Sequence, residues 1–278
     1  MLLIMAKVLI SPLLLATSTF AMHKWGAVVG GLILGMPLVS GPVSVMLFAQ
    51  YGSRFAVSAA YGTLLGFVAA AAFCASYAFV SRYRPWQESL LASLVAFFLS
   101  VWLLSLVHMS LGWILGFVLM ALTSLAFTIA EPDEAPTVAA PRKRSLAIRM
   151  VAAGFVVLLI TASARFLGPE MSGLLAPLPV LATIMAVSFH RNSKSDAVHG
   201  LLRSAVLGSW GGAAFFATVI MLLGAFGPAL TYSIAAAAAL MAGSFAMQLQ
   251  VPVPSEHHEV AVARRPAEAI AVMPYGIR

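Results

Sequence analysis

With 278 residues, 62% of them apolar and only 9% charged, and a mean hydropathy of +0.99, the chain has too little polar surface for a soluble domain. It reads as an all-α polytopic membrane protein whose +7 net charge serves loop topology and anionic lipid head groups, so no nucleic-acid partner is implied. Cys74 is the lone cysteine, which excludes an intramolecular disulfide framework and a thiolate metal cluster.

Apolar runs of about 20 residues predict nine transmembrane helices. The first, 2–22, places Lys7 before an apolar run ending near Thr19, Phe20 and Ala21, and so looks like a signal peptide. It is expected to stay in the mature chain, because 7–24 aligns with the internal segment 149–166. The second, 26–50, contains Gly35, Pro37, Gly41 and Pro42; the third, 55–80, carries Gly62, Gly66 and Ala70 at four-residue spacing. Helices 87–107 and 110–130 follow, then a polar linker, 131–146, with Pro132, Pro136, Pro141 and the basic run 142–144. The second half holds 147–166, 171–190 with Gly173, Pro177 and Pro179, 197–223 with Arg203, Ser204, Gly208 and Gly212, and 228–248. Beyond Gln250 no period or span is sustained, and the tail is expected to be disordered and cytoplasmic.

The halves resemble each other. Lys7 to Phe79 lies without a gap on Arg149 to Met221 at an offset of 142, with 13 identities in 73 positions against roughly 7 expected by chance. Three glycine pairs and one proline pair are among them: Gly26/Gly168, Gly31/Gly173, Gly66/Gly208 and Pro37/Pro179. These are residues that a shared backbone geometry would retain.

Nine spans divide the 16 Lys and Arg residues into 13 on one side, including Arg82, Arg84, Arg142, Lys143, Arg144, Arg191 and Arg203, and three, Lys7, Arg54 and Arg165, on the other. The basic side is cytoplasmic by the positive-inside rule, with the N-terminus outside and the C-terminus inside; Lys7 is discordant and must snorkel. Five spans separate the units, an odd number, so the second is inverted relative to the first. The expected organisation is a four-helix unit at 1–108, a linker helix and cytoplasmic loop at 109–146, an inverted four-helix unit at 147–249 and a tail at 250–278.

Three segments, SGLLAPLP at 172–179, HRNSKSD at 190–196 and LLRSAVLGSW at 201–210, carry a further likeness. On them the second unit resembles the GlpM-like small four-helix membrane proteins, and the whole chain looks like two such units fused antiparallel. The first unit departs from the pattern, with Tyr61 in place of Arg203 and Val68 in place of Trp210. The resemblance bears on fold more than on activity.

Proline-broken helices at matching positions of inverted halves point to a substrate site, here Pro37, Gly41 and Pro42 with Pro177 and Pro179; ordinary kinking is the plain alternative. The stripes Gly62, Gly66, Ala70 and Ser204, Gly208, Gly212 predict close helix packing, with these two helices crossing near the pseudo-two-fold axis. Arg203, two turns into its span, either faces the bundle interior or snorkels to the cytoplasmic head groups. No carboxylate lies at the centre of a span, since Glu88, Glu170 and Asp196 sit at helix ends, which disfavours proton-coupled export of cationic drugs and a sodium cage. His23, His108 and His190 lie at boundaries and read as structural, His199 has no evident partner, and His257-His258 is a weak metal signal. No catalytic triad, phosphate loop or zinc motif is present, so neither an enzyme nor a cofactor is expected. The leading expectation is an inner-membrane transporter or flippase of a neutral or anionic small molecule or lipid precursor, with the bilayer as its surroundings. The alternative is a non-transporting scaffold for envelope polysaccharide or lipid synthesis.

Overall fold

The computed structural model describes residues 32–37, 40–107, 109–130, 166–191 and 195–248, and among these every regular element is helical. The expected span 2–22, nearly all of 147–166, the linker and the tail lie outside the described residues. The helices are α1 (Ser40–Val80), α2 (Trp86–Leu104), α3 (Leu111–Thr128), α4 (Phe166–Leu175), α5 (Val180–Arg191), α6 (Ser195–Leu222) and α7 (Pro228–Gln248). A short helical turn at 32–35 precedes α1.

Local chemistry sets several of these boundaries. Pro85 precedes α2 with φ −63° and Pro228 opens α7, positions where a missing N–H costs nothing because a first-turn amide has no helical partner. Within the helices, serine and threonine hydroxyls donate to carbonyls of their own helix: Thr63 to Ala59 (2.8 Å), Ser204 to Gly200 (2.6 Å) and Thr218 to Ala214 (2.8 Å). Such back-bonding hides a polar side chain without help from a neighbour.

Among the described residues five helical runs are long and apolar enough to cross a bilayer, and α4 with α5, bent by 45° across 176–179, makes a sixth if taken as one span. The outer faces fit that environment. Trp113, Met241 and Phe127 are 77%, 73% and 72% exposed, an arrangement suited to lipid and unfavourable in water.

The longest run is not straight. Gly52 has φ +82° and ψ −179°, a region open to glycine, and divides α1 into arms 40–51 and 53–80. Leu47 packs with Ala59 in one small apolar cluster. Twelve residues of straight helix would hold them about 18 Å apart, so the chain folds back at Gly52. The expected separation of 26–50 from 55–80 is therefore made by one glycine. Gly168, with φ +79°, stands likewise at the boundary expected between 147–166 and 171–190.

The second arm of α1 and α6 form the centre of the core. Phe73, Tyr77, Leu64, Leu201, Leu202 and Phe216 are fully buried in a single cluster that draws on both halves of the chain. The two helices run antiparallel: Phe67 meets Phe216, with ring centroids 6.0 Å apart, while eleven residues further along α1 the carbonyl of Ala78 lies 3.0 Å from Nε2 of His199. Helices α2 and α3 pack on α1, and α3, α5 and α7 pack on α6.

Candidate functional site

Both proline-broken segments are present, and their breaks coincide at the offset of 142. After the turn at 32–35, the amide of Gly41 donates to the carbonyl of Pro37 at 2.8 Å; after α4, the amide of Thr183 donates to the carbonyl of Pro179 at 2.8 Å. Residues 41 and 183, like 37 and 179, are equivalent. Each proline thus stands where a helix restarts, which its fixed φ favours. Pro42 does not break the helix as grouped from sequence; it lies in the first turn of α1, where proline is tolerated. Gly41 lies against the ring of Phe215.

Each broken segment rests on the small-residue helix of the other half. A Cβ added at Gly66 would lie 2.5 Å from the Leu174 carbonyl oxygen and 2.9 Å from Cδ of Pro177. A Cβ at Gly208 would strike the carbonyl of Leu32, and one at Gly35 would strike the carbonyl of Ala205 and come within 2.7 Å of the Gly208 backbone. Gly66 is equivalent to Gly208, Leu174 to Leu32, and Pro177 to Gly35, so the contacts exchange under the repeat. The stripes therefore receive the broken helices more than each other. Gly62 faces the carbonyl of Glu170, and of the stripe glycines Gly212 meets the opposite stripe helix, through the Phe67 ring. Ala70 and Ser204 are buried beside them.

Arg203 is half-buried, with its guanidinium carbon 5.9 Å from the centre of the Phe127 ring on α3, a cation–π geometry. His199 has the partner its sequence context did not supply, the Ala78 carbonyl. Near it the Tyr77 hydroxyl lies 3.4 Å from Nδ1 of His190, and Arg191 stands over the Trp86 ring at 5.8 Å. Among the described residues no group of three or more His, Cys, Asp or Glu could hold a metal ion.

At the other end lies a cavity of about 250 Å³. Tyr61, Gly62 and Leu65 of α1, Ser105 and Ser110 between α2 and α3, and Glu170 and Leu174 of α4 contribute to its wall. No known protein family, curated protein or solved structure matches the chain. The cavity and the His190/His199 cluster are thus described by geometry alone, separated along α1, from Tyr61 to Tyr77, by about 24 Å. Of the residues that the sequence points to, Gly62 and the helix-end carboxylate Glu170 reach the cavity, while the prolines and Arg203 do not line it. In the sequence Tyr61 stands out only as the position where the repeat departs from Arg203. The other wall residues come from three separate segments, and nothing in their spacing ties them together.

Proposed function

We propose that the chain is an inner-membrane transporter or flippase of a neutral or anionic small molecule or lipid precursor. In this reading nine spans form two inverted four-helix units, joined by a linker helix, and the broken helices at Pro37 and Pro179 move against the opposite unit. The observation that carries it is the exchanged contact, Gly66 with Leu174 and Gly208 with Leu32, between segments equivalent at the offset of 142. The antiparallel course of α1 and α6 supports the inversion, since equivalent helices of inverted units must oppose each other.

Close backbone packing without side-chain knobs lets one element slide or rock on another with little repacking, which suits alternating exposure of a site between the halves. Arg203 contributes the positive charge that favours a neutral or anionic cargo. Arg82, Arg84 and Arg191 cluster with the 77–86 and 190–199 ends, which this reading assigns to the cytoplasm, with the N-terminus outside. Kinship of the second unit with GlpM-like proteins rests on 172–179, 190–196 and 201–210.

The test is lipid translocation in proteoliposomes containing fluorescent phosphatidylglycerol, read by dithionite quenching. Wild type is expected to expose the inner-leaflet label, and Pro37→Ala, Pro179→Ala and Arg203→Ala to slow it. Unchanged rates in all three variants would remove the proposed site.

A further inference from the structure

We propose that the cavity at Tyr61 and Glu170 binds a protonated amine carried on an apolar chain. Its wall divides into two kinds of surface. Leu65, Leu104 and Leu174, at 5%, 7% and 2% exposure, form the apolar part, and Tyr61, Ser105, Ser110 and Glu170 supply the polar groups. Among the described residues Glu170 is the one carboxylate on this wall, and no Lys or Arg accompanies it.

Donor and acceptor chemistry narrows the ligand. An ammonium group brings three donors and no acceptor. The Ser105 hydroxyl already donates to the Trp102 carbonyl at 2.7 Å, so toward the cavity it offers lone pairs. Glu170 and Leu174 are one turn apart on the same face of α4, and the backbone of that face lies against Gly62. Glu170, exposed at the start of α4, thus belongs to the side of that helix that faces Gly62 and contributes to the cavity wall together with Tyr61, whose ring adds a face attractive to a cation. The cavity lies by the helix ends at Ser105 and Ser110, and at the end of an apolar span a lipid head group would meet its chains.

The repeat gives the site a side. At the offset of 142, Tyr61 is replaced by Arg203 and Glu170 by Val28, so the equivalent position would carry a cation and no carboxylate. Arg203, at the position equivalent to Tyr61, would disfavour an amine beside it. A zwitterionic ethanolamine lipid, neutral overall, presents such a group, as does a free amphiphilic amine. Binding does not require transport, so the two are tested separately.

Full-length protein in detergent is examined by native mass spectrometry with phosphatidylethanolamine and phosphatidylglycerol of identical chains, and by calorimetry with decylammonium. Wild type is expected to bind decylammonium, and Glu170→Gln to weaken it about tenfold, the scale of one charge-assisted contact. Glu170→Asp should retain most of the affinity, and Tyr61→Arg, which imports the residue of the equivalent position, should abolish it with an unchanged unfolding midpoint. A matching preference for phosphatidylethanolamine over phosphatidylglycerol that Glu170→Gln removes assigns the site to a lipid head group. Decylammonium binding without that preference assigns it to a free amine. Decylammonium affinity unaltered by both Glu170→Gln and Tyr61→Arg overturns the proposal.

Discussion

Replacing Gly208 by alanine tests the exchanged packing directly. The added methyl would collide with the Leu32 carbonyl oxygen and lie 2.9 Å from both its carbonyl carbon and its Cα, all backbone atoms that cannot swing aside as a side chain would. Carbon atoms prefer separations of about 3.5–4.0 Å, so the 32–35 turn must move from α6 by roughly 1 Å. Overpacking of this kind costs about 1–3 kcal/mol, and the better helix propensity of alanine returns up to about 1 kcal/mol. The net expectation is a loss of about 1–2 kcal/mol, a factor of roughly 5–30 in the folded-to-unfolded ratio. Gly66→Ala should behave alike, because its methyl meets Leu174 and Pro177 in the corresponding way. Gly112→Ala is the control: among the described residues nothing lies within 4 Å of its Cβ position, and stability should be equal or slightly raised. Unfolding in mixed detergent and dodecyl sulfate micelles, followed by far-ultraviolet circular dichroism, gives the comparison. If Gly66→Ala and Gly208→Ala unfold with Gly112→Ala, the broken helices do not rest on these glycines and the exchange argument fails.

Gly52→Ala should cost about 1–3 kcal/mol in the same assay despite open space around its Cβ position, since the penalty is the backbone conformation alone; a neutral effect would mean that α1 does not fold back there. Topology is read by thiol labelling in a Cys74→Ser background: Tyr51→Cys should react with an impermeant maleimide on intact cells, and Tyr83→Cys only after permeabilisation, with the reverse pattern inverting the assigned orientation. Deleting residues 251–278 should leave translocation in proteoliposomes intact; a deletion that spares assembly but abolishes function in cells, with no translocation by either protein, favours the scaffold.

Much of the fold was legible because its signals are local. Lipid demands an apolar run of fixed minimum length, so Trp86–Leu104, Leu111–Thr128, Ala197–Leu222 and Pro228–Ala246 appear near their expected bounds. The breaks at Pro37 and Pro179 were equally visible, because proline acts on its own turn. Other features were not. A reversal between 26–50 and 55–80 was expected, but not that a single residue, Gly52, would make it, since glycine permits a positive φ without requiring it; and the exposed ring of Phe127 beneath Arg203 belongs to a helix some 76 residues earlier in the sequence.

By itself the sequence determined where apolar helices long enough for a bilayer form and where proline breaks them, since apolar composition and proline each act on a short stretch of chain. Only the tertiary structure decided which surfaces meet. It set the glycine stripes against broken helices of the opposite half, and it gathered Tyr61, Ser105, Ser110 and Glu170 around one cavity. The reason is physical: close packing in lipid rewards any two small faces that fit, and a stripe of small residues states that a partner can come close without stating which partner it is.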